Sequence, residues 1–137
     1  EAARNAGVIT ADEFAVFQNA GYMGLYGGMT VDDIHRKKNL EVGQKILDYM
    51  GSTELIANLF RISQTEEKLR KDSVNSADTA TAVHYKVGSE VREAIEKIGG
   101  TRPEDLPAPE KSIAQLEKEQ LQRLKQQALD GQLMLDE

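Results

Sequence analysis

The 137-residue sequence contains no cysteine, only three prolines and few aromatic residues, which make up 5% of the chain. The lack of cysteine excludes disulfide bonds, thiolate nucleophiles and cysteine-based zinc sites. No run reaches the roughly 18 apolar residues that a membrane span needs, and no signal segment opens the chain. A basic excess is also missing, because the net charge is −6. Any nucleic-acid contact must therefore be a local patch, and we expect a protein of a reducing cytoplasm.

Almost every periodic signal in the sequence has the spacing of an α-helix, and strict alternation of apolar and polar residues is nearly absent. We therefore predict an all-α protein with one compact multi-helix domain and a modest core. The predicted domain covers residues 1–100, a proline-containing connector covers 101–111, a protruding amphipathic helix covers 112–130, and a frayed tail covers 131–137. Because the chain begins with Glu1 rather than methionine, we expect it to be part of a longer protein.

Capping signals predict where the first helices begin and end. Thr10 and Glu13 form a capping box at the start of a helix that we expect Gly21 to end. Two short helices are predicted over residues 30–38 and 41–50.

The next predicted helix, which begins at Ser52 or Thr53, has the widest apolar face in the sequence. That face consists of Leu55, Ile56, Leu59, Phe60, Ile62 and Leu69. A face of this width indicates a helix in the centre of the core. Because Leu59 lies in its middle, truncation to alanine is expected to cost about 2 to 5 kcal/mol.

A long helix is predicted after a polar hinge at residues 72–79. A narrow stripe of small and β-branched residues marks its buried face, and Gly99 and Gly100 mark its end. The stripe consists of Ala80, Val83, Val87, Val91, Ala94, Ile95 and Ile98.

Residues 21–28, GYMGLYGG, hold four glycines and two tyrosines. They do not form a P-loop, because no lysine follows the last glycine, and their spacing differs from the G-x-G-x-x-G dinucleotide fingerprint. We interpret the glycines as turn residues and the tyrosines as packing residues. No cofactor is predicted.

The basic cluster HRKK at residues 35–38 follows an acidic pair at residues 32–33. A helix-turn-helix motif fits this segment poorly, and charges of opposite sign at the two ends of a short helix complement its dipole. The alternative is a module that contacts single-stranded DNA or a partner. Its basic residues would be Arg36, Lys37, Lys38 and Lys45, and its base-stacking residues Tyr22 and Tyr26.

Catalytic motifs are not evident in the sequence. His35 and His84 do not form an HExxH pattern or another metal-ligand spacing, and no G-x-S-x-G motif is present. We predict that His84 is a partly buried structural residue, that the protein binds no metal and that it is not an enzyme. A nuclease or hydrolase assembled from acidic residues that folding brings together is the remaining alternative.

The last predicted helix has an apolar stripe that spans roughly 140° at 100° per residue. The stripe consists of Ile113, Leu116, Leu121, Leu124 and Ala128. Its intervals break the heptad rule, which disfavours a long coiled coil. Because the proline-containing connector precedes it, we predict that the helix leaves the body and packs on a second copy or a partner. Packing back onto the preceding long helix is the alternative.

Five segments of the sequence, in order from about residue 4 to residue 117, resemble the C-terminal half of the bacterial DNA-damage-inducible protein D (DinD) family. They are FQNAGYMGLYGG, DIHRKKNL, QKILDYMGSTELIANLFRISQTEEKLR, HYKVGSEVREAIEKIGGTRPEDLP and SIAQLE. In that family an N-terminal half similar to the Bro-type domain precedes this region. The resemblance implies no catalytic residues and does not extend to residues 118–137.

The resemblance also implies a function and a partner. It implies a role in the bacterial SOS response to DNA damage, in the cytoplasm, with modulation of the RecA filament on single-stranded DNA. We therefore expect an interaction domain for a recombination protein that also self-associates through its last helix. Direct DNA contact by the basic cluster is the alternative.

Overall fold

The computed structural model describes residues 1–109 and 113–136, and all regular structure within these ranges is helical. The predicted all-α class is confirmed. Two short 3₁₀ turns lie at Ile46–Tyr49 and Pro103–Asp105. The α-helices of the described ranges are α1 (Ala2–Asn5), α2 (Ala11–Leu25), α3 (Val31–Lys37), α4 (Ser52–Lys71), α5 (Ala77–Ile98) and α6 (Ile113–Asp136).

Helices α2 and α5 form the largest helix–helix contact among the described residues. Glycines lie where the two helices meet. A Cβ atom on Gly88 would lie 2.7 Å from the carbonyl oxygen of Gly21 and 2.9 Å from the amide nitrogen of Leu25. A Cβ atom on Gly24 would overlap the carbonyl of Tyr85. The two backbones therefore approach each other more closely than any residue with a side chain would allow.

The glycine-rich stretch serves both helix packing and chain reversal. The predicted helix end at Gly21 is wrong, because α2 continues through Gly21 and Gly24 to Leu25. The predicted turn lies at Gly27 and Gly28, whose φ angles are 68° and 97°.

Several local boundary signals are confirmed. Thr10 and Glu13 form the predicted capping box of α2, and Thr30 caps α3. Gly99, with a φ angle of 87°, ends α5. The helix predicted over 41–50 is wrong, because this segment contains only the turn Ile46–Tyr49. Gly43 interrupts it with a left-handed backbone at φ 89°.

Helix α4 turns its polar face towards the core. Its buried residues are Glu54, Asn58, Arg61, Thr65 and Leu69. The residues on the opposite side, Ile56, Leu59 and Phe60, are more than half exposed. The predicted central position of this apolar face is therefore wrong, because polar groups on the neighbouring elements determine the rotation of the helix.

Within residues 1–109, buried apolar side chains form two core clusters. One joins the end of α2 to α3 and the middle of α5, and the other joins α1 to the start of α5. The buried members of the first are Leu25, Tyr26, Ile34, Ile46, Met50 and Val91. Those of the second are Ala6, Val8, Phe17, Leu69 and Ala80.

The first part of the connector is anchored to the body. The Lys38 ammonium donates hydrogen bonds to the carbonyl oxygens of Pro103, at 2.9 Å, and Leu106. Arg92 donates two hydrogen bonds of 2.8 Å to the Glu104 carboxylate. Residues 110–112 lie outside the described ranges.

Helix α6 meets the body at the turn Ile46–Tyr49. It continues to Asp136 and is longer than predicted, since it includes most of the tail predicted to be frayed. Its side chains described over residues 115–131 are exposed, apart from the half-buried Glu119. None of the helices in the described part of the chain is long and apolar enough to cross a membrane.

The rotation of α4 predicts that truncating two leucines of that helix to alanine lowers the stability of the protein by different amounts. Leu69 is 2% exposed and Leu59 is 51% exposed. We expect Leu69→Ala to lower the free energy of unfolding by about 2 to 5 kcal/mol, because it leaves a cavity. Leu59→Ala should cost no more than about 1 kcal/mol. Urea denaturation of both variants measures the difference, and equal costs would contradict the orientation of α4.

The close contact of α2 and α5 predicts a second pair of variants. In Gly24→Ala the added methyl group would meet backbone atoms of α5, and we expect a loss of about 1 to 3 kcal/mol from overpacking. Gly131→Ala is the control, because a Cβ atom there has no neighbour within 4 Å. Chemical denaturation should show unchanged or slightly higher stability for the control. A Gly24→Ala protein as stable as the control would rule out the close crossing.

Candidate interaction surfaces

The polar face of α4 forms a buried network with groups at the ends of α2 and α3. The Lys38 ammonium lies 3.1 Å from Oε1 of Glu54, and both side chains are buried. The other carboxylate oxygen of Glu54 accepts a hydrogen bond from the Tyr26 hydroxyl. That hydroxyl accepts a hydrogen bond of 3.0 Å from Asn58. Burial and the Glu54 carboxylate raise the pKa of Tyr26, so the hydroxyl remains a donor.

One turn further along α4, the network reaches α2 and α5 through Arg61, which is 2% exposed. Its Nη2 donates to Asn58 Oδ1 at 3.0 Å, and its Nη1 lies 2.5 Å from His84 Nε2. His84 Nδ1 lies 2.8 Å from the carbonyl oxygen of Phe17. Since a carbonyl only accepts, Nδ1 carries the proton and Nε2 accepts from Arg61. The guanidinium also lies 4.6 Å from the Tyr22 ring centroid.

His84 is neutral in this environment. Burial, and then the charge of Arg61, lower the pKa of His84 to about 4. Burial also lowers the pKa of Arg61, whose contacts in the network are neutral groups. The predicted structural role of His84 agrees with this burial.

A cavity of about 180 Å³ lies beside Arg61, between α1, α2 and α4. Its polar lining includes Tyr22, Thr65 and His84, and most of the remaining lining is apolar. The cavity has room for about six water molecules. Among the described residues, no group of three or more histidines or acidic residues is placed to hold a metal ion.

The outer side of α4 forms an open groove with α5, which we call the α4–α5 groove. It has a volume of about 510 Å³. Its lining residues are Phe60, Gln64, Lys68, Val83, Lys86, Val87, Glu90, Val91 and Ala94. The exposed side chains of Ile56 and Leu59 lie on the same outer face of α4. Sequence reasoning missed this groove, because it assigned the apolar residues of α4 to the core.

The second apolar surface is the outer face of α6. Leu116, Leu121 and Leu124 are exposed there, and we call this set the leucine stripe. All three were predicted as interface residues. Ile113, the fourth predicted interface residue, is the first residue of α6, but its side chain lies outside the described part of the structure.

The residues predicted to contact DNA do not form one exposed surface. Lys38 is buried against Glu54, and Tyr26 is 1% exposed. Tyr22 is half-buried and lies beneath the guanidinium of Arg61. Tyr26 is therefore held inside the polar network, and the guanidinium of Arg61 covers one face of the Tyr22 ring.

The other predicted basic residues are exposed. Arg36 pairs with Asp33 at 2.5 Å, and Lys37 lies 3.9 Å from Asp105. Lys45 is exposed in the loop before the turn Ile46–Tyr49. The exposed part of the predicted patch thus holds three cations, two of which have acidic partners.

Comparison with known proteins identifies the family. The family described as DinD C-terminal domain matches residues 1–116. DNA damage-inducible protein D of Escherichia coli strain K12 is 60% identical over 117 residues, which cover 85% of this chain and 43% of that protein. The chain belongs to the DinD C-terminal domain family. The resemblance stated from the sequence segments is confirmed.

The DinD match divides the chain at α6. It includes α1 to α5, the anchored connector and the first residues of α6, and it ends at residue 116. Most of the leucine stripe therefore lies beyond the matched DinD domain. The chain spans less than half the length of the Escherichia coli protein. No solved structure matches the chain.

The buried His84 predicts a pH dependence of stability in this DinD domain. The pKa of His84 is lowered from 6.5 to about 4 in the folded protein. Between these values the unfolded chain binds the proton and the folded chain does not, so stability falls as the pH falls from about 6.5 to about 4. The full loss is on the order of 3 kcal/mol.

Denaturation at pH 7 and pH 4.5 measures this loss, with His84→Gln as the comparison. The variant lacks the titrating group, so the difference between its two stabilities should be smaller than in the wild type. An NMR titration that shows His84 taking up a proton near pH 6.5 would contradict its buried, neutral state.

Proposed function

We propose that this chain acts in the bacterial response to DNA damage as a non-enzymatic protein-interaction module that modulates RecA nucleoprotein filaments. The name of the Escherichia coli relative supports the link to DNA damage. The sequence resemblance described above supports RecA as the partner. The α4–α5 groove is the observation that supports protein binding.

This groove has the composition of a protein-binding surface. Phe60 is an aromatic side chain, 54% exposed, at an apolar surface that continues along Val83 and Val87. Lys68 and Glu90 line the same groove. Interfaces commonly combine an apolar centre that includes aromatic anchors with a polar rim. The net charge of −6 also favours contact with a basic protein surface over contact with free DNA.

Direct DNA contact has less support from the geometry. Arg36 and Lys37 have acidic partners, and Lys38 is buried against Glu54. Lys45 alone does not form a track of cations along a phosphate backbone.

Binding of the chain to RecA filaments assembled on single-stranded DNA tests the proposal. We expect the variant Phe60→Ser to lose about tenfold or more in affinity, because it removes the exposed aromatic side chain of the groove. The matched control is Arg36→Gln/Lys37→Gln, which removes exposed charges and should bind like the wild type. Fluorescence anisotropy of the labelled chain measures affinity, and denaturation midpoints establish that both variants are folded.

The same titration on bare single-stranded DNA distinguishes the alternative. If the chain binds bare DNA, and the charge variant alone weakens that binding and flattens its salt dependence, then the basic residues are the functional contacts. If the wild type binds neither filaments nor DNA, the proposed function fails.

A further inference from the structure

Among the residues that the structure describes, two apolar surfaces are uncovered, and they differ in shape. The leucine stripe is a convex helical ridge, whereas the α4–α5 groove is a concave channel between two helices. We infer that the leucine stripe of one copy occupies the α4–α5 groove of a second copy. This inference concerns self-association, and α6 of a second copy would compete with RecA for the α4–α5 groove.

The stripe is short enough to lie within the groove. It extends along α6 from Leu116 to Leu124, a distance of about 12 Å at the helical rise of 1.5 Å per residue. The wall of the groove that α5 supplies extends from Val83 to Ala94, about 17 Å by the same rise. An amphipathic helix placed in an apolar groove is a common recognition mode.

The charges at the two surfaces are complementary. The groove is lined by Lys68, Lys86 and Glu90, an excess of one positive charge. Glu117 lies on the stripe side of α6, because 100° per residue places it between Leu116 and Leu121. Lys86 has no salt-bridge partner within the described residues, whereas Lys68 pairs with Asp72 at 2.8 Å. Glu117 can therefore pair with Lys86 when α6 enters the groove.

The position of α6 favours insertion into the groove of a second copy over insertion into the groove of its own chain. The connector is tied to the body at Pro103 and Leu106 by Lys38, and α6 meets its own body at the turn Ile46–Tyr49. From this position its leucines remain uncovered. In a dimer with two-fold symmetry, the stripe of each copy would lie in the groove of the other copy. The two contacts would be identical.

Mass in solution gives the first test. Light scattering should show a species of twice the 15.2 kDa chain mass that dissociates on dilution. Leu121→Ser/Leu124→Ser should be monomeric with an unchanged unfolding midpoint of the body, because these side chains are exposed in one chain. Lys86→Glu should weaken the dimer about fivefold or more, and Glu117→Lys in the same chain should restore it.

Disulfide trapping identifies the contact, since the natural chain has no cysteine. We expect a mixture of Gln64→Cys and Gln120→Cys chains to form a mixed disulfide dimer on mild oxidation. The control replaces Gln64→Cys by Asp12→Cys, an exposed position outside the groove lining, and should give little mixed product. Adding Leu121→Ser and Leu124→Ser to the Gln120→Cys chain should abolish the mixed disulfide dimer.

Three results would overturn the inference. The first is a wild-type monomer at all concentrations, and the second is equal trapping with Asp12→Cys. The third is a Gln64→Cys/Gln120→Cys chain that oxidises within a monomer, which would show that α6 covers its own groove. RecA binding is measured in a separate titration, so failure of the self-association is distinguishable from failure of the proposed function.

Discussion

Arg61 of α4 and His84 of α5 meet at 2.5 Å, in a space that exists because Gly21 of α2 has no side chain. A Cβ atom on Gly21 would overlap both groups. The same face of α4 continues through Asn58 to Glu54 and its partners. Because buried polar groups are costly when they lose a partner, only one rotation of α4 satisfies all of them. This constraint links α2, α4 and α5 and turns the apolar side of α4 outwards.

Features that depend on residues close in sequence were predictable. The cap at Thr10 and the helix end at Gly99 involve neighbours within four positions, and both are confirmed. The rotation of α4 was not predictable from its own periodicity. The partners of Glu54 and Arg61 lie 16 and 23 positions away, and a buried charged group that loses its partner is strongly destabilising. The segment over 41–50 has helical periodicity too, but the left-handed backbone at Gly43 interrupts it.

The same distinction between local and distant contacts explains which candidate surfaces were predictable from the sequence. The leucine stripe belongs to a single helix, so its spacing alone predicted it. The α4–α5 groove has walls from two helices, and its α4 wall had been assigned to the core. Lys38 resembles a surface cation in the sequence, but its carbonyl partners lie 65 and 68 positions later in the chain. No local pattern carries that information, because it depends on the path of the connector.

The two opposite sides of helix α4 have different roles. The inner side holds the fold together through polar contacts, whereas the exposed Ile56, Leu59 and Phe60 contribute little to it. Selection can therefore alter the outer residues with little loss of stability, as long as the inner residues are retained. Descendants of this protein can exchange one binding partner for another by substitutions on a single exposed helix face, while the architecture beneath it stays the same.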